Sequence, residues 1–489
     1  MRGARWIGVT GLALAVSWGA GARGLAAGAS GRVPETVVAA AGAETRLEVR
    51  GLRGEIDVRL GKPGEIRYLA SPGAPGAEAP RVGLVRKEGR ILLGPAGEGA
   101  PAEGRLEVAV PPGILVVVAT SDGKVWASGL RGGLEVEGER IAFDGRGLQG
   151  GASVSVEGGS LSLLNVSGDV LVEAKEARAE LAAIEGKVLV NATGGTVSIR
   201  EIRGDLDAAA FGAELSVDGA HGAVTLRARG GRAVLAGLAE GATAQLEGTP
   251  LLLTNDRGDI EVHSDAAIEF RECSASLHFG ALGGPVRGAR NEGLLEIRST
   301  GGGAIEISDV TGPVGIETDG GTVRLKDIAT ALSVLATGAD LSIAGTRGPV
   351  VLESERGTID ISKAQGDLDV TSRGDEVRLR EISGAVRVEA NGPVLEVGWA
   401  GLPPDKDSSI RNAGGGATVT FGATGGAAVE AVARMGRVES EWASILASPD
   451  GASARGTIGE GGKATVRIEA EGDVRLLGEG GDAGDAGDR

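Results

Sequence analysis

Apolar residues recur along the middle of the chain in alternating pairs that keep a fixed spacing. Val170 with Val172, Val188 with Val190, Val350 with Leu352 and Val386 with Val388 form one set. A second set comprises Val197 with Ile199, Leu215 with Val217, Ile359 with Ile361 and Val377 with Leu379. Alternation with period two marks a strand with one buried face. Glycines keep the same beat. Gly132, Gly150, Gly168, Gly186, Gly204 and Gly222 follow one another in even steps of i to i+18, and Gly258, Gly312, Gly348, Gly366 and Gly384 share their phase. Two places before many of them stands one more apolar residue, as at Leu148, Val166, Ile184, Ile202 and Ile382. Turns such as Gly194-Gly195 and Gly320-Gly321 separate the paired runs.

So short a unit cannot bury its own apolar pairs, and the units must therefore stack. Stacking sets residue i over residue i+18 and gathers Val, Ile and Leu into interior columns. The predicted fold is all-β: a parallel β-solenoid, or β-helix, with about 18 residues per coil and β-rich caps at both ends. From Gly132 to about Trp399 there is room for roughly fifteen coils, a rod of about 70 Å at ~4.8 Å per coil. Val190, Ile199, Leu352 and Ile361 should point inward, and Leu189 and Arg200 outward. Helical solenoids do not tolerate a glycine every few residues. Calcium-binding rolls need an array of G-G-x-G-x-D turns that this chain lacks.

The regular stretch, 119–400, has flanks of different character. Arg2 and Arg5, the apolar run Trp6–Val16 and the small residues ending at Ala22 or Ala29 have the order of a signal peptide, placed at 1–29. Its cleavage would leave no transmembrane anchor and an exported protein, periplasmic, cell-surface or secreted. Residues 30–118 alternate without the repeat phase and read as an N-terminal β-rich cap. Gly401-Leu402-Pro403-Pro404 ends regular coiling. Residues 401–478 read as a C-terminal cap and 479–489 as a disordered Gly/Asp tail. Between about 239 and 303 the phase slips by one place, which predicts irregular coils there. The slipped stretch holds His263, His278 and Cys273.

Composition narrows the chemistry. Glycine fills 87 positions and aromatics 2% of the chain, and the formal net charge is -17. Without a basic cluster to release counterions, a nucleic-acid partner is excluded. One cysteine excludes an intramolecular disulfide and any Cys-cluster metal site. Alternation turns His263 and His278 outward, at a spacing that does not stack them in one column and without the convergent ligands of a zinc centre. No metal, cofactor or catalytic residue is expected. Glu201, Asp218, Asp327, Glu353, Asp360 and Glu381 fall on exposed strand positions mixed with Arg378, Arg380 and Arg387, which reads as a solvated face. Phase places Val125 inside and Trp126 outside, making Trp126 the candidate ligand platform.

Four features, in order, carry a resemblance. They are the segment TRLEVRGLRGEIDVRL after the signal peptide, LEVAVPPG at 106–113 leading into LVVVATSDGKVWASGLRGGLEVEG, the repeated G-x-V-x-V coil, and IGEGGKATVRIEAEGDVRLLG at 458–478. With these the chain resembles the bacterial β-strand-repeat family of putative adhesins, an exported β-solenoid domain of unknown function. The slipped middle and the high coil count depart from that pattern. The family has no assigned catalytic residues to transfer. The resemblance implies a non-enzymatic adhesin-like or cell-envelope interaction scaffold, with an envelope or surface protein, or a glycan, as partner. The alternative from fold class is a polysaccharide-active β-helix lyase or hydrolase.

Overall fold

The computed structural model describes residues 36–39, 45–73, 78–96, 102–374, 376–401, 406–422, 424–459 and 463–478. The expected signal peptide, 1–29, and Gly/Asp tail, 479–489, lie outside them. Every regular element described is a β-strand. The molecule is a parallel β-solenoid of about 17 turns with about 18 residues per coil.

Each coil lays one strand on a first face and one on a second. On the first face Val170 pairs with Val188, Val188 with Leu206 and Leu206 with Val224. On the second, Ala179 pairs with Val197 and Val197 with Leu215. The interior columns are closed: Val190 and Ile199 are 1% and 0% exposed, and Leu352 and Ile361 are both 0%. Leu189 is half-buried and Arg200 exposed, as the alternation requires. At ~4.8 Å per coil the stack is about 80 Å long.

Most of the phased glycines are explained by close approach rather than by a special φ, Gly150, Gly168 and Gly258 having a positive φ as well. Gly186, Gly204, Gly366 and Gly384 each sit against the backbone of the glycine one coil earlier, where a Cβ would overlap a carbonyl. Another position that turns the chain carries a mixed signature in the sequence, Gly, Asn and Asp at most of its places and other residues at the rest. Ala183, Glu201, Glu272, Asp309, Asp327, Lys363 and Glu381, each just before an interior corner residue, have φ near +55°. The equivalent places at 219, 237 and 345 are glycines, for which the left-handed conformation carries no Cβ penalty.

The slip between 239 and 303 does not break the stack. Leu251 pairs with Ile268 and Ile260 with Leu277, so residue i meets i+17. Val286 then pairs with Ile305 and Leu295 with Val314, so residue i meets i+19. The missing residue and the extra one both fall at the corner from first face to second, at 265–267 and at 301–304. The strands between stay in register, so the irregular coils expected from the phase are regular coils joined by two altered corners.

Both ends depart from sequential order. The coil in Arg46–Leu60 pairs on one side with Leu115–Ser128 and on the other with Arg90–Pro95 and Ala102–Val110. Stacking therefore begins well before residue 119. Antiparallel strands Glu65–Ser71 and Val82–Lys87 close this end. Beyond residues 402–405 one more coil, Ser408–Asn412 with Ala417–Phe421, continues the rod. The next coil in space is the last in sequence. Ala464–Ala470 pairs with Ser408–Asn412 on one side and Ala427–Ala433 on the other, and Val474–Gly478 lies between Ala417–Phe421 and Val438–Ser440. Antiparallel strands Ser453–Ile458 and Ile445–Ala447 finish the cap.

Candidate functional site

Outward positions on the first face form columns that run along the rod. In one, successive pairing links Glu173, Asn191, Ala209, Arg227, Gln245, His263, Gly280, Arg298 and Glu317. Between its two glutamates the column holds no carboxylate, on a chain of net charge -17. Planar hydrogen-bonding groups take their place: guanidinium, amide and imidazole.

A groove of about 780 Å³ follows this strip, floored by Ala228, Leu246 and Ala281. These belong to an inward corner column in which most residues are small, such as Ala192, Ala210 and Ser264. Small side chains leave the rod thin at this edge, and the surface dips. Phe211 and Leu282 stand at the rim, 50% and 65% exposed. Gly280 keeps the middle open; a Cβ there would strike the His263 imidazole.

The neighbouring charges are locally engaged. His263 Nε2 lies 3.1 Å from Glu261 Oε1 and His278 Nδ1 3.0 Å from Glu296 Oε2. Asp265 Oδ1 accepts the Gly248 N–H at 2.6 Å. Three arginines are held loosely, by single contacts of 3.5 Å to Asp207, 3.3 Å to Glu247 and 3.4 Å to Glu317 for Arg227, Arg229 and Arg298. All three are more than half exposed, and such pairs contribute only about 0–1 kcal/mol. By contrast Arg140 grips Asp122 through two contacts, 2.6 and 3.0 Å, and holds its carboxyl below the usual range.

Sequence spacing kept His263 and His278 apart, yet pairing of Glu261 with His278 sets them on adjacent coils of one face. Both line the shallow dip beside Gly280. Cys273 is not with them. It lies inside, 1% exposed, in a corner column next to Asp256 and Asn291, both 0% exposed. Asp256 accepts the N–H groups of Leu238 and Thr254, each at 2.9 Å, and burial still pushes its pKa up to about 6. Burial likewise raises the Cys273 thiol. Among the described residues no group of three or more His, Cys, Asp or Glu side chains is placed to hold a metal ion.

Trp126 faces outward on the second face, half-buried, between Asp57 and Asp144 of the adjoining coils. Lys124 Nζ lies 6.0 Å from its ring centroid. It is several coils from the strip and on the other face, so the two do not form one site. Trp399 is an interior corner residue, 3% exposed. It stacks on Phe421 with centroids 5.8 Å apart and donates to the Gly384 carbonyl at 3.1 Å. The strip itself escaped the sequence reading. Its signal was there, as a periodic column without acids, but it shows only when the one-place slip is set at its corner.

No protein-family model matches the chain, and no curated protein matches it. A solved structure from Clostridium sporogenes, described as a putative cell adhesion protein, is similar over 91% of this chain and 99% of that one. Its identity is 8% and its TM-score 0.14, a likeness too slight to carry any argument. Among the described residues no helix is long and apolar enough to cross a membrane.

Proposed function

We propose that the chain is a non-enzymatic, exported interaction scaffold of the adhesin-like kind, which engages its partner through the first face of the rod. The observation that supports this reading is the strip from Asn191 to Arg298, where one column loses its carboxylates over consecutive coils beside a groove. A long rigid stack holds such groups at a fixed spacing without loops that must be ordered on binding, which lowers the entropic cost of contact. Trp126 offers a separate single-ring contact on the second face.

The test has two arms. Fractionation of cells making the full chain should recover it from the periplasm, the cell surface or the medium, with its N-terminus near residue 23 or 30. The purified protein should show no sustained turnover of acidic or neutral polysaccharides, with or without calcium. Turnover abolished by one Asp or Glu substitution would establish the β-helix enzyme instead, and a chain retained uncleaved in the cytoplasm would remove the scaffold from the envelope.

A further inference from the structure

We infer that the first-face strip binds an extended acidic glycan, a linear polysaccharide carrying carboxylates at intervals, laid along the rod axis. The assignment rests on the strip being the contact surface and adds its ligand class.

Arg227, Gln245, His263 and Arg298 stand in one column, one coil apart except for the open place at Gly280. Four coil steps separate the two arginines, about 19 Å at the sheet spacing. That is the reach of an oligosaccharide of a few units. An extended chain laid along the axis meets both arginines while covering only the width of one column and its groove.

A guanidinium presents a planar fork that matches a carboxylate through two parallel bonds. Arg227, Arg229 and Arg298 are exposed and held by single contacts of 3.3–3.5 Å, so an incoming carboxylate competes with weak partners. Of the nearby acids, Glu261 answers to His263, Glu296 to His278 and Asp265 to a backbone N–H. Asp207, Glu317 and Glu247, the last in the groove lining, are the weak arginine partners that the glycan carboxylates must displace. Gln245 and the imidazole of His263 supply the mixed donor and acceptor character that hydroxyl groups need. Phe211 and Leu282 give apolar surface at the rim for the C–H face of a pyranose.

Other extended anions fit less well. A peptide recognised as an added strand needs a free sheet edge. Here the backbone groups of the first-face strands are already paired to the coils above and below. Nucleic acid needs many cations to release its counterions, and three arginines on a strongly acidic rod do not provide them.

The experiment is calorimetric titration of the full-length mature protein with oligogalacturonate, and with a malto-oligosaccharide of equal length, at low and at 300 mM salt. Oligogalacturonate should bind and weaken as salt rises, and the neutral glycan should bind at least tenfold more weakly. Arg227→Ala and Arg298→Ala should each weaken binding at least tenfold, and Arg227→Lys should fall between. Arg373→Ala, outside the strip, should bind as the parent does, with melting temperatures unchanged throughout. Absence of binding, equal binding of the neutral chain, equal binding of a poly-glutamate peptide, or indifference to both arginine changes would each overturn the ligand class. Capture of an envelope protein by the same face, abolished by these changes while oligogalacturonate stays unbound, would leave the scaffold standing and the glycan assignment fallen.

Discussion

A glycine can be required for two physical reasons, and this rod separates them. Gly366 has no left-handed φ, but a Cβ there would run into the Gly348 carbonyl of the preceding coil. Gly338 has φ +72° and open space around it. Gly366→Ala should therefore cost about 1–3 kcal/mol through overpacking, and Gly338→Ala about 1 kcal/mol through backbone strain. Chemical denaturation of the two variants orders them, and a reversed order would mean that coils can part without penalty. Asp256 makes the second residue-scale case. Its neutral form is favoured in the fold, since burial raises its pKa from 3.8 to about 6. Its contribution is thus fully present below about pH 4 and lost as pH rises through 6. Asp256→Ala should destabilise the protein by about 2 kcal/mol more at pH 4.5 than at pH 7.5. Parallel unfolding curves at the two pH values check this; a penalty independent of pH would place the carboxylate in contact with water.

At the scale of the element, the corner is the tolerant part and the strand is not. One corner lacks a residue at 265–267, another has one extra at 301–304, and pairing continues through both. Deleting Gly302 restores the usual corner length, so stability should change by no more than about 1 kcal/mol. Deleting Glu306, within Ile305–Val310, moves Ile307 and Val310 to new faces, because a one-place slip in a strand exchanges inside for outside. That variant should be recovered unfolded or aggregated. Circular dichroism and thermal melting of the two deletions make the comparison, and equal damage would show that corner length is itself a requirement. The same logic explains how far the candidate site could be read in advance. Arg227, Gln245 and His263 keep the regular i to i+18 step, but the step from His263 to Gly280 is i to i+17. Arg298 then stands in line with Gly280 and out of the original phase. A change of one place at a corner displaces the columns that follow in sequence, until the extra residue at 301–304 restores the phase, while leaving them intact in space.

For the whole molecule the decisive feature is the order of coils at the C-terminal end. The segment 464–478 lies between the coils of 408–421 and 427–440, so the cap made by 427–458 cannot meet the rod until the end of the chain arrives. Its inward residues, Val466, Ile468, Val474 and Leu476, are 0–2% exposed. A chain ending at Gly459 should lose more than one coil: the cap is left without its platform, and strand edges open at the end of the stack. Its melting temperature should fall, and it should self-associate in sedimentation velocity. Synthetic peptide 463–478 added in trans should restore the monomer and part of the melting temperature. A truncated chain as stable and as monomeric as the parent would show that the cap closes directly on Ser408–Asn412.

Hydrophobic alternation and the spacing of glycines by themselves determined the all-β solenoid, the length of its coil and which residues point inward. All of these are local or strictly periodic, and repetition multiplies each weak signal. The left-handed corner column was only partly legible: Gly, Asn and Asp hold most of it, but Ala183, Glu201, Glu272, Arg290, Lys363 and Glu381 have no preference for that conformation, and the stacked backbone imposes it on them. Asp256 and Asn291 broke the apolar corner column without announcing that they would be buried, since burial there comes from the coils on either side. That Arg298 joins the periodic column of Arg227, Gln245 and His263 was likewise decided by tertiary structure, which sets the slip at its corner. So was the insertion of the last coil between two earlier ones. Both depend on which strand finds which neighbour across the stack, a contact between distant residues that no local pattern encodes.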